Sequence, residues 1–318
     1  MSENSLCVGS LAAAPGAKIF GYEEVLIAGV PIRFGVFLVN GSMPGPTLVV
    51  TAGVHAAEYA SIAAALELGR SLQPKDLRGR VIIVPVVNVP GFGVRAIYVC
   101  PLDGKNPNRC FPGKALGTAS ERIAYWLFNN VMLQGDYYVD LHGGDLVEAL
   151  VPFSLYHRTG NAEVDRVSLE MAQVFGIPYI VRSETPGSTY AAASAAGIPG
   201  ILPESGGQGI WRPGDVAYHT NGLNRLMRHL GMLEGPLPEP ISTTHLDRFV
   251  WLRSDQEGFW YPGVQVGDDV QEGQTVGRVM DCEGRALQSA VAPTTGRVLF
   301  LVTSLAINKG DPLLAIGA

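Results

Sequence analysis

Short apolar segments alternate with segments of helical composition from about residue 47 to about residue 230, and this alternation is the strongest constraint on the fold. Apolar strands of this length that are separated by helices are typical of a parallel sheet covered on both faces. The pattern therefore predicts an α/β fold with a mainly parallel sheet. The predicted strands are 47–51, 80–88, 137–141, 179–181 and 199–204, and the predicted helices are 59–72, 118–133, 161–175, 188–196 and 215–230.

The predicted sheet is preceded by an antiparallel hairpin over residues 24–39, whose turn signal is Gly29-Val30-Pro31. Residues 89–117 are rich in Gly, Pro and Asn and are predicted to form a long loop. Loops of that length in compact domains are usually functional.

Polar side chains follow three of the predicted strands. His55 and Glu58 come after the first strand, His142 follows the strand at 137–141, and Glu204 ends the strand at 199–204. In parallel sheets, ligands bind beyond the carboxyl ends of the strands. His55 and Glu58 are three residues apart and can share one helix face, and a catalytic zinc commonly takes two histidines and one glutamate. We therefore expect His55, Glu58 and His142 to bind one metal ion. Asp140 and Asp145 flank the third ligand, and both are candidates for orienting an imidazole or for holding a substrate amine.

Composition excludes several classes of partner. Charged residues make up 16% of the chain and apolar residues 47%, against a usual charged share of about 25%, which predicts extensive buried surface and a homo-oligomer. The net charge of -6 and the lack of a basic run argue against nucleic acid and anionic membranes as partners.

The sequence shows no targeting segment. The first twenty residues lack the layout of a signal peptide, and no apolar run is long enough to cross a bilayer. The four cysteines show no C-x-x-C spacing, which favours a reduced setting. We therefore predict a cytoplasmic protein that does not bind membranes.

The character of the chain changes after a proline- and glycine-rich segment at 231–240. Residues 241–318 lack a helical pattern and contain short β-like runs, so we predict a catalytic domain at 1–240 and a β domain at 241–318. The segments VGDDVQEGQTVGRV and NKGDPLLAI resemble the flattened barrel of biotinyl and lipoyl carrier domains. The hairpin that would hold the carrier lysine reads Asp281-Cys282-Glu283-Gly284-Arg285, which favours a structural or lid role.

Four motifs occur in a fixed order along the chain: H-x-x-E at 55–58, N-R at 108–109 within DGKNPNRCFPG, D-L-H ending at 142, and P-E-S-G-G with its glutamate at 204. Together they resemble the succinylglutamate desuccinylase/aspartoacylase family of zinc-dependent deacylases, relatives of the zinc carboxypeptidases. The resemblance covers most of the chain, since that family also has a small β domain after the catalytic one. It implies one Zn²⁺ per subunit and hydrolysis of the amide of a small N-acyl amino acid or related carboxylate.

The resemblance also implies roles for individual residues. Glu204 would be the general base, which takes a proton from water and passes it to the leaving amine. Arg109 would bind a substrate carboxylate in two parallel hydrogen bonds, with an amide contact from Asn108. Other candidates for contacts with the acyl group or a second carboxylate are Arg182, Tyr190 and Arg212.

Two positions depart from the family pattern. Ala56 stands where family members commonly have glycine, so the turn after His55 must avoid a positive φ or carry strain. Many relatives have an arginine that stabilises the oxyanion at the position of Tyr98, and Arg95 lies nearby as a possible substitute. The oxyanion donor is therefore left open between Tyr98 and Arg95.

Two alternative functions remain at this point. One is a carboxypeptidase-like metallopeptidase that acts on a C-terminal residue, which a β lid over the cleft would disfavour because it would exclude polypeptides. The other is a non-catalytic binding or carrier protein, which the absent acceptor lysine and the intact ligand set disfavour.

Overall fold

The computed structural model describes residues 4–237 and 239–318. The described α-helices are α1 Tyr59–Ser71, α2 Val89–Val94, α3 Ala119–Asn130, α4 Ala162–Phe175, α5 Thr189–Ala195 and α6 Pro213–His229. Short 3₁₀ helices lie at Pro74–Asp76, Pro107–Arg109 and Met132–Gln134. In the described part of the chain, we find no helix whose length and apolar character would let it span a bilayer.

The strands up to the end of the long helix α6 are β1 Leu6–Val8, β2 Leu11–Ala13, β3 Lys18–Ile27, β4 Val30–Asn40, β5 Met43–Ala52, β6 Arg78–Val84, β7 Tyr137–Leu141, β8 Glu148–Leu150, β9 Phe153–His157, β10 Tyr179–Ser183 and β11 Gly200–Glu204. Those after it are β12 Thr244–Leu246, β13 Phe249–Arg253, β14 Gly258–Pro262, β15 Asp269–Val270, β16 Thr275–Met280, β17 Ala286–Val291, β18 Gly296–Val302, β19 Ala306–Ile307 and β20 Pro312–Gly317.

A nine-stranded sheet forms the centre of the fold, in the order β12-β10-β9-β11-β7-β5-β6-β4-β3. Neighbours pair in parallel from β12 to β9 and from β11 to β6, whereas β9–β11, β6–β4 and β4–β3 are antiparallel. The prediction of a mainly parallel mixed sheet flanked by helices is confirmed, and the predicted hairpin corresponds to β3 and β4.

Helices cover the sheet on both faces because alternate residues of a strand point to opposite sides. In β5, Val49 packs in a core with α3 and α5, which includes Ile123 and Tyr190. Its neighbours Leu48 and Val50 pack in a second core with α1, α4 and α6. The central strands are therefore buried on both faces, as their continuous apolar sequences require.

The structure adds elements that the sequence pattern did not predict. β9 lies between β10 and β11 and runs antiparallel to β11, so it interrupts the parallel order. The predicted loop at 89–117 contains α2 and a 3₁₀ turn. β9 was missed because a five-residue strand is stabilised by hydrogen bonds to its neighbours rather than by a periodic pattern of its own.

The C-terminal residues form two further sheets, β13-β20-β18-β15 and β17-β16-β14-β19, around a core that includes Trp260, Val276 and Leu314. The predicted all-β region is therefore confirmed, and its likeness to carrier domains stays a prediction. β8, from the middle of the chain, pairs with β18 and joins the first of these sheets.

The division at residue 240 also stays a prediction. β12 begins at Thr244 and pairs with β10 in the large sheet, so the first residues after that point still belong to the central layer. Residues 1–3 of the predicted catalytic domain and Pro238 of the predicted linker lie outside the described residues.

Leu48 offers a test of the central packing. It is fully buried in β5, whereas Leu26 in the edge strand β3 is 63% exposed. We expect Leu48→Ala to lower the free energy of unfolding by about 2–5 kcal/mol, because it removes buried methyl groups and leaves a cavity. For the matched Leu26→Ala variant, chemical denaturation should show a change in the free energy of unfolding below about 0.5 kcal/mol. Equal losses in the two variants would contradict this description of the core.

Candidate active site

Three adjacent parallel strands bring the polar clusters together. β11, β7 and β5 are neighbours, so their carboxyl ends lie at the same edge of the sheet. His55 follows β5, and Glu58 is the residue immediately before α1. His142 follows β7 and forms a parallel bridge with Glu204, the last residue of β11. Residues that are far apart in sequence thus meet because their strands are adjacent.

The turn between β5 and α1 depends on two small residues. Gly53 has φ +62°, and a Cβ there would lie 3.0 Å from the Cα of Val86. Ala56 does not have a positive φ, so its own backbone avoids the left-handed conformation that Gly53 adopts in the same turn. A Cβ on Gly91 would lie 3.0 Å from the Ala56 methyl. Ala56 is therefore accommodated because the facing residue of α2 has no side chain.

The Glu58 carboxylate lies between two imidazoles. Its Oε1 is 2.7 Å from Nδ1 of His55, and its Oε2 is 2.9 Å from Nδ1 of His142. The backbone N–H of Gly143 also donates to Oε2, at 3.2 Å. One ligand atom from each of His55, Glu58 and His142 lies within 4.8 Å of the others, a spacing that could hold a metal ion.

The opposite nitrogen of each imidazole meets an oxygen acceptor. His142 Nε2 is 2.8 Å from Asp140 Oδ2, and His55 Nε2 is 3.0 Å from Asn106 Oδ1. The Asn108 N–H donates to the same Asn106 oxygen, which identifies it as the acceptor. A neutral imidazole donates from only one nitrogen. With Nε2 as the donor, each Nδ1 presents a lone pair beside the Glu58 carboxylate, and this donor set fits a cation.

Asp140 is held by two threonines as well as by His142. Thr51 donates to its Oδ1 at 2.6 Å and Thr189 to its Oδ2 at 2.5 Å. The carboxylate is fully buried, so these bonds fix its position and, through it, the orientation of the His142 ring.

Burial and neighbouring charges set the protonation of the cluster. Burial opposes ionisation of Glu58, but the adjacent His142 and His55 lower its pKa to about 2. Burial raises the pKa of Glu204 well above its usual range, and the negative charge of Glu58 adds to this rise. Glu204 Oε2 is buried and has no hydrogen-bond partner among the described residues. Glu204 is thus a carboxyl group with a raised proton affinity and a free acceptor atom.

A cavity of about 830 Å³ opens over this cluster. Nine of the predicted site residues line it: His55, Glu58, Tyr98, Asn108, Arg109, His142, Arg182, Tyr190 and Glu204. Arg95, Asp145 and Arg212 are not among its lining residues. Arg212 is exposed and lies 3.5 Å from Asp215. The two oxygens of Asp145 accept the backbone N–H groups of Tyr98 and Leu146.

The two candidate oxyanion donors are placed differently. Tyr98 lines the cavity with 36% of its surface exposed, and its backbone is left-handed at φ +37°. Its N–H bond to Asp145, at 2.7 Å, holds this unusual conformation. Arg95 is exposed at the end of α2, with φ +56°. Of the two, Tyr98 is the one that reaches the cavity.

The candidate substrate-binding residues are oriented by local contacts. Asn108 is buried, and its Oδ1 accepts the Thr189 N–H at 2.9 Å, which leaves its amide NH₂ as a donor. Arg109 donates to the Asn108 carbonyl at 2.7 Å, and burial lowers its pKa. Arg182 lies 3.8 Å from Asp247. Tyr190 is buried, and its hydroxyl donates to Ser183 at 2.7 Å, so it also supports the cavity wall.

Sequence reasoning missed three residues at this site. Asn106 orients His55, and it could have been found because it lies within the same motif as Asn108. Arg253 of β13 and Glu148 of β8 line the cavity but carry no sequence signal. Burial raises the pKa of Glu148 to about 8, and the charges of Asp145 and Glu58 contribute. Both residues reach the cavity through the C-terminal sheet, which no local pattern predicts.

The donor set predicts loss of metal when a ligand is removed. We expect the purified protein to bind one divalent ion per chain, and His142→Ala to lower that stoichiometry at least tenfold, because one of three ligands is lost. His229→Ala is the matched control, since that imidazole lies 3.1 Å from Glu170 on the helical surface. Elemental analysis after dialysis measures the bound metal. Unchanged metal content in His142→Ala would contradict the assignment.

Sequence comparison relates this chain to known proteins. The model of the succinylglutamate desuccinylase/aspartoacylase catalytic domain matches residues 44–230. The chain is 33% identical over 260 residues to N-alpha-acetyl-L-2,4-diaminobutyric acid deacetylase from Halomonas elongata, and the match covers 80% of this chain and 75% of the relative.

Solved structures share the whole fold. A succinylglutamate desuccinylase/aspartoacylase from Rhodobacter sphaeroides superposes with a TM-score of 0.87 at 25% identity, over 99% of this chain and 98% of that chain. The product-bound ectoine utilization protein EutE (DoeB) from Ruegeria pomeroyi superposes with a TM-score of 0.89 at 24% identity, over 100% of both chains. The extent of the family match and the identity to the Halomonas relative show that this chain belongs to the succinylglutamate desuccinylase/aspartoacylase family.

Proposed function

We propose that the protein is a zinc-dependent amidohydrolase that removes the acyl group from a small N-acyl amino acid or related carboxylate. The observation that carries the proposal is the group of His55, Glu58 and His142 beside the unpartnered carboxylate of Glu204. Membership of a deacylase family supports it, and so does the name of the Halomonas relative, a deacetylase of an N-acetylated amino acid.

The donor set suits zinc, with one ion per subunit. Two imidazole nitrogens and one carboxylate are a common ligand set of catalytic zinc, which keeps a further position open. Zinc bound there supplies Lewis-acid polarisation of a carbonyl and activation of water at neutral pH. Asp140 and Asn106 hold the two imidazoles in the tautomer that this binding needs.

Glu204 would act as general base and then as general acid. Its buried, unpartnered oxygen would accept a proton from the attacking water and then pass that proton to the leaving nitrogen. Tyr98 is the candidate donor to the carbonyl oxygen, because its side chain lines the cavity.

Two guanidinium groups in the cavity support the proposal that the substrate carries a carboxylate. Arg109 and Arg253 both line the cavity, and the positive charge of Arg253 contributes to the lowered pKa of Arg109. A carboxylate between like charges would relieve their repulsion and accept charge-assisted hydrogen bonds. Asn108 lies next to Arg109 and can add an amide donor.

The C-terminal sheet forms one wall of the cavity through Trp251, Arg253 and Phe300. Because this wall narrows access to the cavity, it favours a small substrate rather than a polypeptide. It also gives the C-terminal region a role in enclosing the site. The homo-oligomeric state and the cytoplasmic location stay predictions.

Glu204→Gln tests the general base. We expect kcat for hydrolysis of N-acyl amino acids to fall about 10²- to 10⁴-fold, because the amide cannot accept the proton. Bound metal should stay at the wild-type level, since Glu204 is not placed as a ligand. Glu163→Gln, on the exposed surface of α4, is the matched control and should keep full activity. Amine release measures the rate, and full turnover by the Glu204→Gln variant or by the chelated wild-type protein would refute the proposal.

Arg109→Met tests the carboxylate site. We expect KM to rise about 10- to 100-fold, because a charge-assisted hydrogen bond contributes about 1.5–3 kcal/mol. Arg212→Met is the matched control, since Arg212 is exposed and outside the cavity lining. Steady-state kinetics on one N-acyl amino acid measures both variants. An equal rise of KM in both would count against Arg109 as the carboxylate ligand.

A further inference from the structure

Four aromatic side chains form a continuous row along one side of the cavity. The ring centroids of Phe153 and Phe249 are 5.3 Å apart, those of Phe249 and Trp251 are 5.1 Å apart, and those of Trp251 and Phe300 are 5.0 Å apart. All four residues line the cavity. They come from β9, β13 and β18, so the row, which we call the aromatic row, crosses from the central sheet to the C-terminal sheet.

The strand registers explain why the row is continuous. Phe249 and Trp251 are two residues apart in β13 and therefore lie on the same face of the sheet. In β20, Ala315 pairs with both Trp251 and Phe300. Because this intervening side chain is only a methyl group, the two large rings meet over it.

One end of the aromatic row lies beside Glu204, the candidate general base. Phe153 pairs with Glu204 across the antiparallel β9–β11 ladder, and the next pair on the same face is Leu155 with Leu202. These two leucines also line the cavity. Directly paired residues have Cβ atoms about 4.5–5.5 Å apart, so an apolar surface begins beside the candidate general base.

A positive charge lies beside Trp251, the third ring of the row. The Arg253 guanidinium is 5.7 Å from the centroid of the Trp251 ring. The cavity therefore presents, in order, a carboxyl group for amide hydrolysis, an apolar wall and a guanidinium group. Trp251 remains 40% exposed, which is a large apolar surface for a cavity wall.

The size of the cavity fits a substrate with a bulky group. Its volume of about 830 Å³ lies in the upper part of the roughly 300–1,000 Å³ range of clefts that take drug-sized ligands. A short, wholly polar acyl amino acid would leave the exposed parts of Trp251 and Phe249 in contact with water, whereas an apolar group would cover them.

We infer that the substrate is an N-acyl amino acid with a large apolar group, aromatic or branched aliphatic, that packs on the aromatic row while its carboxylate binds the arginines. This inference rests on the proposed amidohydrolase function and specifies the substrate class of the same site. The apolar group can be the side chain of the amino acid or part of the acyl group, since both lie next to the scissile amide.

Matched substrates test the inference with the metal-loaded enzyme. N-acetyl-L-alanine is the reference, N-acetyl-L-phenylalanine places a phenyl group on the amine side, and N-phenylacetyl-L-alanine places it on the acyl side. We expect kcat/KM to rise roughly 10- to 100-fold for one of the two phenyl compounds, the factor expected from burying a group of that size. The kcat/KM for N-acetyl-L-aspartate should not exceed that for N-acetyl-L-alanine.

Trp251→Ala should reduce that preference, measured as the ratio of kcat/KM for the phenyl compound to kcat/KM for N-acetyl-L-alanine, to within about threefold. Trp211→Ala is the matched control, because Trp211 is 61% exposed and is not a lining residue. Calorimetric binding of the same compounds to Glu204→Gln, which keeps Trp251, gives a second measurement that needs neither turnover nor folding of Trp251→Ala.

The outcomes separate this inference from the proposed function. A phenyl preference in turnover and binding that Trp251→Ala abolishes supports both. Hydrolysis without a phenyl preference overturns the inference and keeps the proposed function. A phenyl preference in binding without hydrolysis of any compound overturns the proposed function and keeps the apolar subsite. Absence of both binding preference and hydrolysis overturns the two together.

Discussion

The carboxylate of Glu58, shared between the Nδ1 atoms of His55 and His142, is the interaction on which the rest of the site depends. It is almost fully buried, so its negative charge requires nearby positive partners. A cation held by this carboxylate and the two imidazoles would meet this requirement, and Asp140 and Asn106 hold the far nitrogens of the imidazoles. Burial raises the pKa of Glu204, and the negative charge of Glu58 adds to this rise. One buried carboxylate thus links the candidate metal ligands His55, Glu58 and His142 to the candidate base Glu204.

The geometry of the sheet makes this concentration of charge possible. β5, β7 and β11 are parallel neighbours, so their last residues converge without any long loop having to fold back. Helices cover both faces and bury the strands, which keeps their backbones rigid. Carboxylates and imidazoles at these strand ends are therefore placed by the best-packed part of the molecule, as a site with defined geometry needs.

The C-terminal sheets add a second kind of surface to the same cavity. β8 begins a few residues after His142 and pairs with β18. Only a short segment therefore separates this candidate metal ligand from the C-terminal sheets. β13 then contributes Phe249, Trp251 and Arg253 to the lining of the cavity. Polar chemistry therefore comes from the central sheet, and apolar surface with a further positive charge comes largely from the C-terminal sheet.

By itself, the sequence determined the strand and helix alternation, the ligand types at the strand ends, and the motifs that indicate the family. These are local properties, because periodicity, turn residues and short motifs all lie within a few residues of each other. Only the tertiary structure decided which candidates share a cavity. It brings Tyr98 to the cavity and leaves Arg95 exposed, and it uses Asp145 to hold the Tyr98 backbone. It also supplies Arg253 and the aromatic row, since those contacts depend on strand register between segments up to about 150 residues apart, which no local pattern encodes.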